Sequence, residues 1–164
     1  MTKTHLLAAL FLLVLVGCSQ PNERVQTRFN RDAELSGELP YNPLDWEVIV
    51  STLNQKDHTL TAVLGNDQAI ADARKNVSHE YSAGSVISAI TWSQQEDPRW
   101  FGGNIPGKVR SVEFLEVQSV PDLGRTYLYT IYTGSPLREL NSTEERSPTG
   151  RAAELFTQRA AVMP

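Results

Sequence analysis

Val109-Arg110-Ser111-Val112-Glu113-Phe114-Leu115-Glu116-Val117-Gln118, the turn Pro121-Asp122-Leu123-Gly124, and Arg125-Thr126-Tyr127-Leu128-Tyr129-Thr130-Ile131-Tyr132-Thr133 decide how this chain folds. Both runs are dense in β-branched and aromatic residues. The proline–glycine turn between them is far shorter than the crossover that parallel strands need. The pair reads as an antiparallel hairpin, and the row Tyr127, Tyr129 and Ile131 reads as ordinary sheet packing. Working outward, the turn Tyr81-Ser82-Ala83-Gly84 opens a strand over 85–92 with Val86, Ile87 and Ile90. Thr59 to Leu64 is another strand, closed by Gly65-Asn66, and the alternation around Trp46, Val48 and Val50 predicts the first. Asn66 or Asp67 caps a helix over about residues 67–76, with Ala69, Ile70 and Ala73 turned inward. A loop is expected from Gln94 to Gly107, a polar stretch from Asn141 to Gly150, and a short helix from about Arg151 to Ala160. The sum is an α+β fold: a single antiparallel β-sheet of about five strands with helices packed on it.

The N-terminus obeys a different rule. Lys3 and His5 precede the uncharged run Leu6–Val16, a positive segment followed by an apolar one of signal-peptide length. The run ends in Leu15-Val16-Gly17-Cys18-Ser19, which resembles the lipobox of bacterial lipoproteins. That resemblance implies removal of residues 1–17 and attachment of acyl chains, palmitate among them, to Cys18. Each buried methylene contributes about 0.8 kcal/mol, so several chains hold such a protein firmly at a membrane. Ser19 in place of an aspartate favours the periplasmic face of the outer membrane in a Gram-negative host. Cys18 is the only cysteine, so no disulfide can form within the chain. Residues 18–38 are polar and read as a tether, and the domain is expected over 39–164, entered through Leu39-Pro40-Tyr41-Asn42-Pro43.

Composition is that of a folded protein: 40% hydrophobic and 21% charged residues, with a net charge of −4. Loss of Lys3 with the signal leaves residues 18–164 at −5. A mildly acidic surface excludes a phosphate-tracking nucleic-acid binder. No zinc-protease helix, phosphate loop or dinucleotide fingerprint occurs, and Gly84-Ser85-Val86 lacks the second glycine of a nucleophile elbow.

Gly65-Asn66-Asp67-Gln68-Ala69, Tyr81-Ser82-Ala83-Gly84-Ser85-Val86-Ile87 and Leu155-Phe156-Thr157-Gln158, in this order and spacing, resemble the cytochrome P-460 family. The longer strings from Leu39 to Trp46 and from Trp92 to Gly102 are similar to a subgroup of exported bacterial proteins, and the resemblance covers about residues 39–160. It implies a periplasmic haem protein that oxidises hydroxylamine or binds a small gas, and a dimer. It also implies a haem tethered by Cys-x-x-Cys-His near the C-terminus, whose histidine ligates iron. Between Asn141 and Ala153 this chain has neither cysteine nor histidine. The expectation is therefore a domain without covalent haem, no resident cofactor and no catalytic residues. It acts as a binding module for a small ligand or a periplasmic protein. The alternative is a cytochrome that holds haem non-covalently through His58 or His79, although both lie in polar stretches that suit solvated histidines. The most unusual segment is Glu96-Asp97-Pro98-Arg99-Trp100-Phe101-Gly102-Gly103. Glu96, Asp97, Arg99, Trp100 and Phe101 are candidate residues of a ligand-pocket rim; in the competing reading, Trp100 and Phe101 plug the loop onto the core.

Overall fold

Among the described residues six strands pair in chain order, β1-β2-β3-β4-β5-β6, and each of these pairings is antiparallel. They are β1 (Glu47–Asn54), β2 (Thr59–Gly65), β3 (Val86–Glu96), β4 (Asn104–Val120), β5 (Gly124–Thr133) and β6 (Arg138–Glu139). Among the described residues two α-helices accompany them, α1 (Asp67–Lys75) and α2 (Pro148–Phe156). The computed structural model describes residues 30–75, 80–122, 124–140 and 148–159. The α+β architecture and the antiparallel sheet are as expected. The sixth strand is an addition of two residues at the far edge, paired through Tyr132↔Glu139 and Thr133↔Arg138.

Because side chains alternate along a strand, the sheet buries both faces. On one face Ile87, Ala89, Leu115 and Val117 pack under α1 and α2 with Ile49, Val63, Ala69, Ile70, Ala73, Ala152 and Leu155. On the other face Ile90, Trp92, Val112 and Phe114 are joined by Leu64 and Tyr132, and by Ala33, Leu35 and Leu39 from the N-terminal segment. Helices therefore cover one face and extended chain covers the other. Described residues of the stretch read as tether are packed against the sheet: the Trp92 indole Nε1 donates to the Ala33 carbonyl at 3.0 Å, and Leu137 N donates to Ser36 O at 2.6 Å.

Local chemistry explains where α1 begins. Asn66 Oδ1 accepts from Ala69 N at 2.9 Å, capping the helix, and from Val86 N at 3.1 Å, while its amide donates to Gly84 O at 2.9 Å. One asparagine thus joins the helix start to the turn that opens β3. Asp72, six residues further on, accepts from Ser82 N at 2.8 Å and Ser85 Oγ at 2.9 Å. Burial works to raise the Asp72 pKa, but the Ser82 N–H, the Ser85 and Ser82 hydroxyls and the Gln68 amide outweigh it, and the carboxyl sits below its ordinary value.

Several expected boundaries move. The loop from 94 to 107 shrinks to seven residues, 97–103, because β3 runs on to Glu96 and β4 starts at Asn104. In β1 the fully buried residue is Ile49, whereas Val48 is exposed, and the pairing shifts between Val48 and Val50. That irregularity inserts a residue and changes which side chains face inward. The C-terminal helix begins at Pro148, a residue suited to a first helical turn, and ends at Phe156.

Candidate functional site

The register of the sheet assembles a site that no single segment announces. Thr52 pairs with Thr61, Thr61 with Thr91, and Thr91 with Ser111, so four hydroxyl side chains from β1 to β4 stand in one row on the helix-covered face. Thr61 Oγ1 and Thr91 Oγ1 are 3.0 Å apart and hydrogen-bonded, with either hydroxyl able to donate. The neighbouring row towards the core is Val50, Val63, Ala89 and Glu113. The face thus passes from apolar residues under the helices, through one acid, to hydroxyls. A cavity of about 460 Å³ lies over the hydroxyl row, with Arg110, Asp57, Glu113, Arg151 and Glu154 also on its walls.

Glu113 is the decisive residue of that wall. It is 1% exposed in the middle of β4, a position where a lone carboxylate is costly. Three donors meet it: Tyr129 Oη at 2.6 Å, Arg151 Nε at 2.8 Å and Arg151 Nη2 at 3.1 Å. The two arginine bonds reach both carboxylate oxygens, the two-point geometry that suits guanidinium and carboxylate. Arg151 also meets Glu154 one turn along α2 at 2.7 Å. Burial works to lower the Arg151 pKa, but its bonds to Glu113 and Glu154 outweigh that and raise it. The arginine is a permanent cation, and it pins α2 to the sheet beside the cavity.

The residues singled out in the sequence lie elsewhere. Glu96 closes β3, and Asp97, Arg99, Trp100 and Phe101 form the β3–β4 hairpin loop. Asp97 Oδ1 accepts from Arg99 N at 2.8 Å and faces Arg99 Nε at 3.6 Å. Backbone bonds from Asp97 N to Gly103 O and from Gly103 N to Trp100 O, both 2.9 Å, hold the loop in shape. A cavity of about 550 Å³ is bounded by this hairpin alone, and Trp100 does not line it. The competing idea that Trp100 and Phe101 plug the loop onto the core is corrected: Trp100 is 75% exposed and Phe101 fully exposed. With β3 and β4 extended, the loop projects beyond the sheet instead of folding back.

His58 sits in the β1–β2 turn, exposed, at a left-handed φ of 49°. Its neighbour Asp57 lines the cavity over the hydroxyl row, but His58 does not. His79, Cys18 and the Asn141–Ser147 stretch fall outside the described residues. Sequence reasoning missed Thr52, Thr61, Thr91, Ser111, Glu113 and Arg151. The one signal available was Glu113 itself, an acid set between Val112 and Phe114 in the most apolar strand.

The family model for cytochrome P460 matches residues 41–147. The chain belongs to the cytochrome P460 family. No curated protein matches it. The match spans all six strands of this cytochrome P460 domain, hence the hydroxyl row and Glu113, and stops before α2 and Arg151. The family is one of haem proteins, so the cavity's donor set is the relevant test. Its walls offer threonine, serine, arginine, carboxylate and amide groups, with no histidine, cysteine or methionine for iron. Among the described residues no cluster of three or more histidine, cysteine, aspartate or glutamate side chains could hold a metal ion. The described walls of this cavity do not fit haem.

Proposed function

We propose that this cytochrome P460 domain is a membrane-anchored binding module for a small polar ligand, held at the periplasmic face of the outer membrane through a lipid on Cys18. It carries no covalent haem and does not oxidise hydroxylamine. The observation that supports ligand binding is the row Thr52, Thr61, Thr91 and Ser111 under a cavity of about 460 Å³. Hydroxyls both donate and accept, and the walls carry charges of both signs, so the site suits a neutral or zwitterionic ligand that hydrogen-bonds along its length. Glu113 and Arg151 neutralise each other and are held for structure, leaving Arg110 and Asp57 to meet the ligand's own charges. The reading without covalent haem rests on the sequence: haem attachment of the c type needs two thiols, and Cys18 is the only cysteine. Anchoring rests on the lipobox-like Leu15-Val16-Gly17-Cys18.

The test uses the mature protein made in a host with c-type maturation. A denaturing gel stained for haem peroxidase is expected to show no band, and the visible spectrum no Soret absorption. Glycine and glucose, a zwitterionic and a neutral probe, are then titrated against the melting temperature of the wild type and of Thr91→Val. A rise with either probe that Thr91→Val abolishes supports the site. A stained band, or no response to either probe, overturns the corresponding part of the reading.

A further inference from the structure

The β3–β4 hairpin carries two adjacent aromatic rings that no described residue covers, Trp100 at 75% exposure and Phe101 fully exposed. Such a pair at a loop tip is apolar surface left open to water, and it calls for an occupant. The loop presents it in a fixed shape, closed by the Asp97–Gly103 and Gly103–Trp100 backbone bonds. Arg99 beside Asp97 offsets that acid, so the tip carries little net charge.

Where the chain enters the domain says what the tip faces. The Asn30 side-chain amide donates to the carbonyl of Pro106, two residues along β4 from Asn104, which pairs with Glu96 at the foot of the hairpin. The Trp92 indole bond to Ala33 fastens the next residues to the same pair of strands. The N-terminal segment therefore joins the domain at the hairpin's foot. From Pro106 to Phe101 is five residues, at most about 17 Å of strand. The twelve residues Ser19–Asn30 reach at most about 40 Å. A lipid on Cys18 and the hairpin tip can therefore meet one bilayer surface.

We propose that Trp100 and Phe101 are a second membrane contact, inserted into the interfacial layer of the bilayer that holds the Cys18 lipid. The inference rests on the anchored reading above. Aromatic rings of this kind favour the boundary between headgroups and acyl chains. Two rings alone bind a bilayer weakly; joined to a lipid by a short chain, they act at high effective concentration and set orientation. Since β1 and β2 turn at the same end of the sheet as β3 and β4, the hairpin-down pose brings Asn54 and Asp57 at the cavity's end to the membrane side.

The test separates this inference from the lipoprotein reading. Residues 18–164, which contain every described element, are coupled through the lone Cys18 thiol to a maleimide lipid in zwitterionic phosphatidylcholine vesicles, with or without brominated acyl chains. The expected result is a blue shift of tryptophan emission on coupling and quenching by the brominated lipid, both lost in Trp100→Phe and weakened in Phe101→Asp. Trp92 is buried and Trp46 half-buried against the core, so these two supply the unchanged background. Absence of shift and quenching, or quenching that persists in Trp100→Phe, overturns the membrane contact. Labelled palmitate in cells reads the anchor separately: no label on Cys18 would defeat the lipoprotein reading and leave the vesicle result standing on its own.

Discussion

Replacing Arg151 by methionine tests whether a buried acid holds the cavity wall. Glu113 keeps 2% of its side-chain surface and Arg151 16%, so solvent screens this pair little. Arg151→Met removes two of the three hydrogen bonds to Glu113 and leaves only Tyr129 beside a buried carboxylate. Breaking one side of a buried ion pair costs about 3–5 kcal/mol. The structure also sets a ceiling on the loss. The helix can swing away and let water reach Glu113, at the cost of exposing Ala152 and Leu155, each 1% exposed. Exposing a leucine costs about 1.5–3 kcal/mol, so the expected loss lies near 3 kcal/mol. Urea unfolding measures it, and a smaller m-value in the variant would mark release of α2 before global unfolding. The pair with Glu154 provides the control: Glu154 is 60% exposed, and Glu154→Gln is expected to cost less than about 1 kcal/mol. The double variant Glu113→Leu/Arg151→Met removes both charges and is expected to recover most of the loss. An Arg151→Met protein within about 1 kcal/mol of wild type would refute the reasoning.

Four further outcomes follow from the same geometry. Asp72→Asn is expected to lower stability at neutral pH and to converge on wild type in acid: the folded pKa is lowered, so the contribution is full above the unfolded value of about 4 and is lost as pH falls through the folded value; urea midpoints at several pH values check it. Gly65→Ala is expected to destabilise by about 1–3 kcal/mol, because its Cβ would stand 2.9 Å from Ala69 Cβ and 3.1 Å from Ile49 Cδ1, and thermal melts read the loss. Ser88→Ala is expected to be neutral or to stabilise by up to about 1 kcal/mol, since the buried Ser88 hydroxyl has no hydrogen-bond partner among the described residues; a loss beyond about 1 kcal/mol would count against this. Cys18→Ser is expected to abolish labelling by fatty acid, which a fluorograph of the membrane fraction reads.

Signals that span a few residues were legible, and those set by distant pairing were not. The hairpin through Pro121-Asp122 and the Asn66 cap depend on neighbours, so their residues announce them. Pro106 and Gly107 read as loop because proline and glycine weaken a strand, yet both lie inside β4. The reason is a close approach: a Cβ at Gly107 would stand 2.7 Å from Ser93 Oγ, at the place where the β3–β4 pairing is irregular around Trp92 and Gln94. A glycine there admits the opposite strand and lets the ladder continue to Glu96 and Asn104, which is why the aromatic tip projects. The candidate site was hidden for a related reason. Thr52, Thr61, Thr91 and Ser111 are each unremarkable strand residues, and only the register of three strand pairs lines them up; a slip of one residue in any pair would turn that hydroxyl to the other face. Glu113 was conspicuous within its strand, but its partner lies 38 residues away on α2. Neither residue alone distinguishes a solvated acid from the buried pair that closes the cavity, so here the site becomes readable only once the sheet's register and the docking of its last helix are known.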